Sequence, residues 1–413
     1  MSALISGKSR FVRGFWGKAL LSFLMLLAVT DLQTIAAITP QIAQGVGSSA
    51  TAVSYSFVAY SLAAVAAAWL LRSHPKSLGN TRLLPAAAFV YGISCWLAIA
   101  VPGIVAFFAA RILAGMAGGF ISALSITALA NVTSYEKRGK NMSLISFSYY
   151  MAPMLGVPLS TFLTDLYGWR LVFIITGTLI FLAGLLIRLA PLSAPIKNRF
   201  ESGRESFDLS GSLRMGVISA FFVSGGLVGF TTFIGTWLYQ SWGSNPSRVG
   251  LAYALMNLGA LAGGILGGFL ADRFGKRSMA LYPNLIMALG LFLLPVLIWK
   301  SALLGLISLV AFAAALRVAP LQALLTELAR PDEIASYIAT RNIASQLGIG
   351  FSILVGGQIY FTYGLAGVSV ACGTLTLGAW LTIRAITEPA LIGTGEEDEE
   401  ADLSGAVYDW GEN

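Results

Sequence analysis

The chain has 413 residues, 56% hydrophobic and only 11% charged, against roughly 25% charged in soluble domains. The apolar excess excludes a soluble fold. The net charge of +7 is spread over short loops, which excludes a nucleic-acid face, and one histidine and two cysteines exclude a His-rich metal site and a disulfide framework.

In chain order, a basic start (Lys8, Arg10, Arg13, Lys18) leads into a long apolar run without a clear small-residue cleavage site, so it reads as an uncleaved first helix. Segments of about 20 apolar residues cross a bilayer core about 30 Å thick. Twelve such spans are predicted: 17–40, 48–71, 83–101, 103–131, 142–165 and 169–190, then 214–240, 248–271, 279–299, 302–328, 337–361 and 365–387. The longest stretch between spans, 191–213, carries Pro191, Pro195 and several basic and acidic residues. It divides the chain into a six-helix half (1–190), a central cytoplasmic loop (191–213), a second six-helix half (214–387) and an acidic tail (388–413). The two halves align at one constant offset: Gly79 falls on Gly275, Gly168 on Gly364 and Val53 on Val249. The expected fold is an all-α membrane protein with two pseudo-symmetric halves, with a site near the midplane between them.

Lysine and arginine set the orientation. With both termini cytoplasmic, only Arg170, Arg248 and Lys300 fall in external loops, and only Arg111 and Arg317 lie deep in spans.

Asp31 is the one acidic residue well inside a span. At helical rise it lies about 13 Å from the external end of its helix, and Arg111 about 12 Å from the external end of its own. Two readings stay open: a static ion pair, or a protonatable carboxylate opposite a fixed cation. Arg317 has no acidic residue at its depth in the second half. It points either to an anionic group on a substrate or to bonding with backbone carbonyls or Gln346. Gln33, Tyr149, Tyr150, Asn257 and Gln346 are further candidates for lining the site, and packing is the alternative for each. Glu327, Arg330 and Arg341 are expected to form an ionic cluster at the cytoplasmic edge. The run Glu396–Glu400 reads as a solvated arm. No nucleotide-binding loop, metal-ligand cluster or nucleophile with its base is present, so neither a cofactor nor enzymatic activity is expected.

Several segments resemble motifs of the major facilitator superfamily of secondary transporters. The hairpin Gly268-Phe-Leu-Ala-Asp272-Arg273-Phe-Gly275-Lys276-Arg277 is similar to its cytoplasmic loop motif. Arg111-Ile-Leu-Ala-Gly115-Met-Ala-Gly-Gly119 resembles its Arg-xxx-Gly-xxx-Gly motif, and Glu136–Lys140 its basic loop after the fourth helix. Ala152-Pro153-Met-Leu-Gly156-Val-Pro158 resembles the antiporter motif of drug:proton exporters, with Ser148 and Ala152 in its glycine places. Asp31-Leu-Gln-Thr34 through Pro40 is similar to the acidic first helix of those exporters. The first-half copy of the loop motif has Lys76 at the place of Asp272.

The resemblance implies a proton-coupled exporter of a small organic molecule, expected to work as a monomer, and the compact loops without an organelle-targeting signal point to a bacterial cytoplasmic membrane. Asp31 and Arg111 would couple protons, and Gly268, Asp272, Arg273, Gly275 and Arg277 would form a structural gate. Two rivals are proton-coupled uptake of an anionic metabolite and a non-transporting sensor or scaffold on the same fold.

Overall fold

The computed structural model describes residues 15–73, 83–131, 148, 151–189, 211–243, 245–297, 300–329 and 334–387. In chain order these form α1 (Phe15–Val46), α2 (Ala50–Ser73), α3 (Leu83–Ala100) and α4 (Ile104–Asn131). A π-turn (Ala152–Gly156) then leads into α5 (Val157–Tyr167), followed by α6 (Trp169–Leu189) and α7 (Gly211–Trp242). The remaining helices are α8 (Pro246–Phe274), α9 (Lys276–Leu293), α10 (Lys300–Leu316), α11 (Val318–Leu328) and α12 (Ile334–Arg384). Ten helices among the described residues are long and apolar enough to cross a membrane. A spanning segment in lipid must satisfy its backbone internally, which is why these apolar runs are helical. Large apolar side chains such as Phe162, Leu166, Phe269 and Phe361 stay exposed, as a lipid-facing surface requires.

Three departures from the predicted spans have local causes. The predicted spans 337–361 and 365–387 form one continuous run, α12, broken only at Gly364, with φ 63°. The matching junction between α5 and α6 is Gly168, with φ 84°, whose N–H donates to Thr164 O at 2.9 Å. Only glycine takes these angles without strain, so the two positions paired by the internal offset turn by the same device. The predicted span 302–328 is divided at Arg317 into α10 and α11. Pro320, three residues on, has no N–H to offer Leu316 O. The freed Leu316 carbonyl faces Gly267 of α8, where an added Cβ would lie 2.4 Å from that oxygen. In α1, Pro40 likewise frees Ala36 O, Ile38 is non-helical, and Gly235 of α7 sits against the carbonyl, 2.6 Å from a notional Cβ. The predicted fifth span, 142–165, is described only at Ser148 and from Met151 onward. There Val157 N–H reaches back to Ala152 O, a π-type bond. The bond lies in a segment where Pro153 and Pro158 withhold their donors.

The halves meet along a seam on the side away from the chain's start. Asp165 Oδ2 on α5 accepts from Asn245 Nδ2 at 3.0 Å and Ser247 Oγ at 2.6 Å, both at the start of α8. Gly250 of α8 packs on Thr161 and Pro158. The pseudo-symmetric mate is Gly357 of α12 against Tyr55 and Thr51 of α2, beside a hydrogen bond from Gln358 Nε2 to Tyr55 OH at 2.9 Å.

Candidate functional site

Between that seam and the chain's starting side lies a central cavity of about 400 Å³, walled by α1, α2, α4, α7 and the first part of α12. Among the described residues its polar lining is uncharged: Gln33, Tyr60, Ser61, Ser122, Thr232, Asn342, Ser345 and Gln346. Of the candidates taken from the sequence, Gln33 and Gln346 stand on its wall. Asn257 does not line it; its Nδ2 donates to Tyr253 O one turn back on α8, at 2.7 Å. Tyr149 and Tyr150 lie outside the described residues.

Asp31 and Arg111 are brought together. Arg111 Nη2 donates to Asp31 Oδ2 at 2.7 Å, and both residues are almost fully buried. Tyr91 OH of α3 donates to the same oxygen at 2.8 Å, and Cys95 Sγ lies 4.0 Å from Oδ1. The Arg111 guanidinium lies 5.5 Å from the Tyr60 ring centroid and 5.9 Å from that of Phe173. Aromatic faces supplement the carboxylate in holding the cation. The pair is not on the cavity wall. Ala28, Leu32 and Gln33, which flank Asp31, are, and so is Tyr60. Tyr60 therefore stands with one face to the cavity and contacts the guanidinium from the wall.

The Arg-xxx-Gly-xxx-Gly segment explains how Tyr60 is held. A Cβ on Gly115 would lie 2.2 Å from Tyr60 O, one on Gly118 2.3 Å from Tyr60 OH, and one on Gly119 2.8 Å from the Ala67 methyl. The glycines let α2 press directly onto α4. Gly115→Ala is expected to destabilise the fold by about 1–3 kcal/mol through overpacking against backbone. Thermal unfolding of the detergent-purified variant measures this, and an unchanged midpoint would show that α2 and α4 are free to separate.

Arg317, at the α10–α11 break, is 1% exposed. Its guanidinium donates to Asn284 Oδ1 on α9 and, at 3.1 Å, to Val223 O on α7, while Nε has no acceptor among the described residues. Of the two sequence alternatives, backbone bonding is present and Gln346 lies elsewhere, on the central cavity. A smaller cavity of about 250 Å³ adjoins the first and includes Arg317 and Arg341 in its wall.

The loop-motif residues sit at the end of α8 on the chain's starting side. Gly275 turns the hairpin with φ 86°. Gly268 faces open space, and Asp272 and Arg273 are exposed. Arg277 Nη2 donates to Arg384 O at 2.8 Å, capping the end of α12. Asp272 has no hydrogen bond or ion pair among the described residues. Glu327 pairs with Lys276. Of the two arginines expected to join it, Arg341 lines the smaller cavity and Arg330 lies outside the described residues.

Tyr91, Cys95, Tyr60 and Asn284 were missed by sequence reasoning. The signal that could have found them was rotational: each sits on a uniformly apolar helix, where hydropathy does not say which face turns toward a buried charge.

Residues 21–236 and 216–407 each match the sequence profile of the Major Facilitator Superfamily. The chain is 26% identical over 390 residues to the MFS-type transporter YwfA of Bacillus subtilis, itself uncharacterized, covering 90% of each. It is 29% identical over 142 residues, 34% of each chain, to the chloramphenicol resistance protein CraA of Acinetobacter baumannii. Its fold is similar to the crystal structure of a D-xylose-proton symporter, with TM-score 0.73, 17% identity and coverage of 90% of this chain and 97% of that one. With both halves matched and the helices following the twelve-span plan, the chain belongs to the major facilitator superfamily and is a membrane transporter, not an enzyme.

Proposed function

We propose that the chain is a proton-coupled secondary transporter that exports a small organic molecule by alternating access, with both termini in the cytoplasm. The observation that carries this reading is the buried Asp31–Arg111 pair, joined to the central cavity through Tyr60. A carboxylate placed there can exchange a proton against cargo if protonation and cargo favour opposite states of the site. Export is supported by the antiporter-like segment around Pro153 and Pro158 and by the likeness to a chloramphenicol resistance protein. The lysine and arginine bias supports the orientation. With the chain's starting side taken as cytoplasmic, the sealed far seam makes this the cytoplasm-open state. Proton-gradient-driven flux in inverted vesicles tests the reading. Movement with the gradient's dissipation and against cargo concentration is expected, and cargo movement indifferent to the gradient would overturn it.

In this state the hairpin carboxylate Asp272 is exposed and has no partner among the described residues. Its role as a gate is to accept hydrogen bonds once the cytoplasmic side closes. Asp272→Asn is therefore expected to favour the state seen here, raising labelling of cysteines placed on the cytoplasmic side and lowering it on the external side. Lys76→Ala, at the degraded first-half copy, should be much milder. Unchanged labelling with normal flux in Asp272→Asn would remove Asp272 from the gate.

A further inference from the structure

Two arginines are buried at mid-depth, one in each half, and their surroundings differ in kind. The charge of Arg111 is met by Asp31 at 2.7 Å. Arg317 is as deeply buried, yet its bonding partners among the described residues are neutral, the Asn284 amide oxygen and the Val223 carbonyl. The Nε of its guanidinium fork has no acceptor among the described residues. A cation buried among neutral acceptors alone is costly, more so at membrane depth. Arg317 lies on the wall of the smaller cavity, and so does Arg341 of α12, whose Nε is also buried without an acceptor among the described residues. Among the described residues the rest of that wall is apolar side chains, Gln322 and the neutral Ser224, Asn342 and Ser345, with no carboxylate. Val228, Asn342 and Ser345 belong to the walls of both cavities, so the two are adjoining chambers.

We propose that the smaller chamber seats the oxyanion of an amphipathic organic monoanion, bound by Arg317 and Arg341, while the apolar part of the molecule fills the larger, uncharged chamber. This rests on the transport reading above and names its cargo class. Guanidinium forks fit planar oxyanions with paired hydrogen bonds, and the anion supplies the countercharge that Arg317 lacks. Arg317 anchors from the α10–α11 break. Arg341 approaches from α12, so cargo joins two elements of the second half.

The test is equilibrium binding of naphthoate and of its uncharged counterpart naphthamide to the purified full-length protein in detergent, by titration calorimetry. Naphthoate is expected to bind tighter by about tenfold or more, the scale of charge-assisted hydrogen bonds. Arg341→Gln and Arg317→Gln should each lower naphthoate affinity toward that of the amide, and Arg317→Lys should restore part, since lysine keeps the charge and loses the fork. Arg341 is only half-buried, so its variant guards against a folding defect at Arg317; elution as a single species checks both. Equal or absent binding of the two probes by the wild type, or an undiminished preference in both glutamine variants, overturns the proposal. A naphthoate preference without gradient-driven movement in proteoliposomes sinks the transport reading and leaves the site. Gradient-driven flux of other cargo without any anion preference sinks the site alone.

Discussion

Asp31→Asn is expected to abolish gradient-driven accumulation of cargo in proteoliposomes while leaving cargo binding and passive exchange measurable. Asparagine imitates the protonated carboxyl permanently, so the proton can no longer drive the change of state. The single substitution also leaves Arg111 buried without its countercharge, a loss worth about 3–5 kcal/mol when one partner of a buried pair is removed. A charge-neutral double variant, Asp31→Asn with Arg111→Gln, separates stability from coupling. It removes both buried charges together, and it should insert and still fail to accumulate cargo. Asp31→Glu should retain some coupling with a displaced pH profile. Uphill movement at the wild-type rate in the double variant would mean that the pair is a static lock on the first half, and the proton site would have to be sought elsewhere, with Glu327 next.

The second large effect concerns the far seam. Thr161 of α5 and Gly250 of α8 come from different halves and are in direct contact. Those two are too close for a disulfide, since a Cβ on Gly250 would lie 3.0 Å from Thr161 Cβ. A cysteine pair at Asp165 and Ser247, whose side chains meet at 2.6 Å across the same seam, is expected to form a disulfide that holds this side shut. Transport should fall to background under oxidation and return with reductant. The two native cysteines, Cys95 and Cys372, are both buried and leave the readout clear. Cross-linked protein that transports at the reduced rate would show that the halves do not separate along this seam, and alternating access by rocking would fail.

The helical spans were legible because their cause is local. Any run of about 20 apolar residues has one stable conformation in lipid, and a glycine such as Gly168 or Gly364 marks a turn by its own steric freedom. The pairing of Asp31 with Arg111 was also legible, because buried charges in a membrane are few and helical rise puts these two opposite charges at matching depth. What the sequence withheld depends on rotation about helix axes. Gln33 faces the cavity while Asp31, two residues earlier, faces α3 and α4, and nothing in the all-apolar stretches around them distinguishes the two directions. Asn284 was hidden for the same reason, and so was the chamber shared by Arg317 and Arg341, since it exists only once α7, α10, α11 and α12 are packed. The division at Arg317 was missed because hydropathy is blind to Pro320, whose effect falls on the carbonyl four residues back.

The glycines set against proline-freed carbonyls have a mechanical meaning. At Gly235 and Ala36 the two halves approach through their backbones, a Cβ added on Gly235 lying 2.6 Å from Ala36 O and 3.0 Å from Ala37 Cα. Interdigitated side chains resist rolling because they must climb over one another, whereas a bare contact behaves as a bearing: the surfaces can turn while their separation stays constant. In a molecule whose halves rock, the axis is cheapest to place through such a point. The distance between residues 36 and 235 is then the invariant of the cycle, while the distance between Tyr55 and Gln358 is the one that must lengthen.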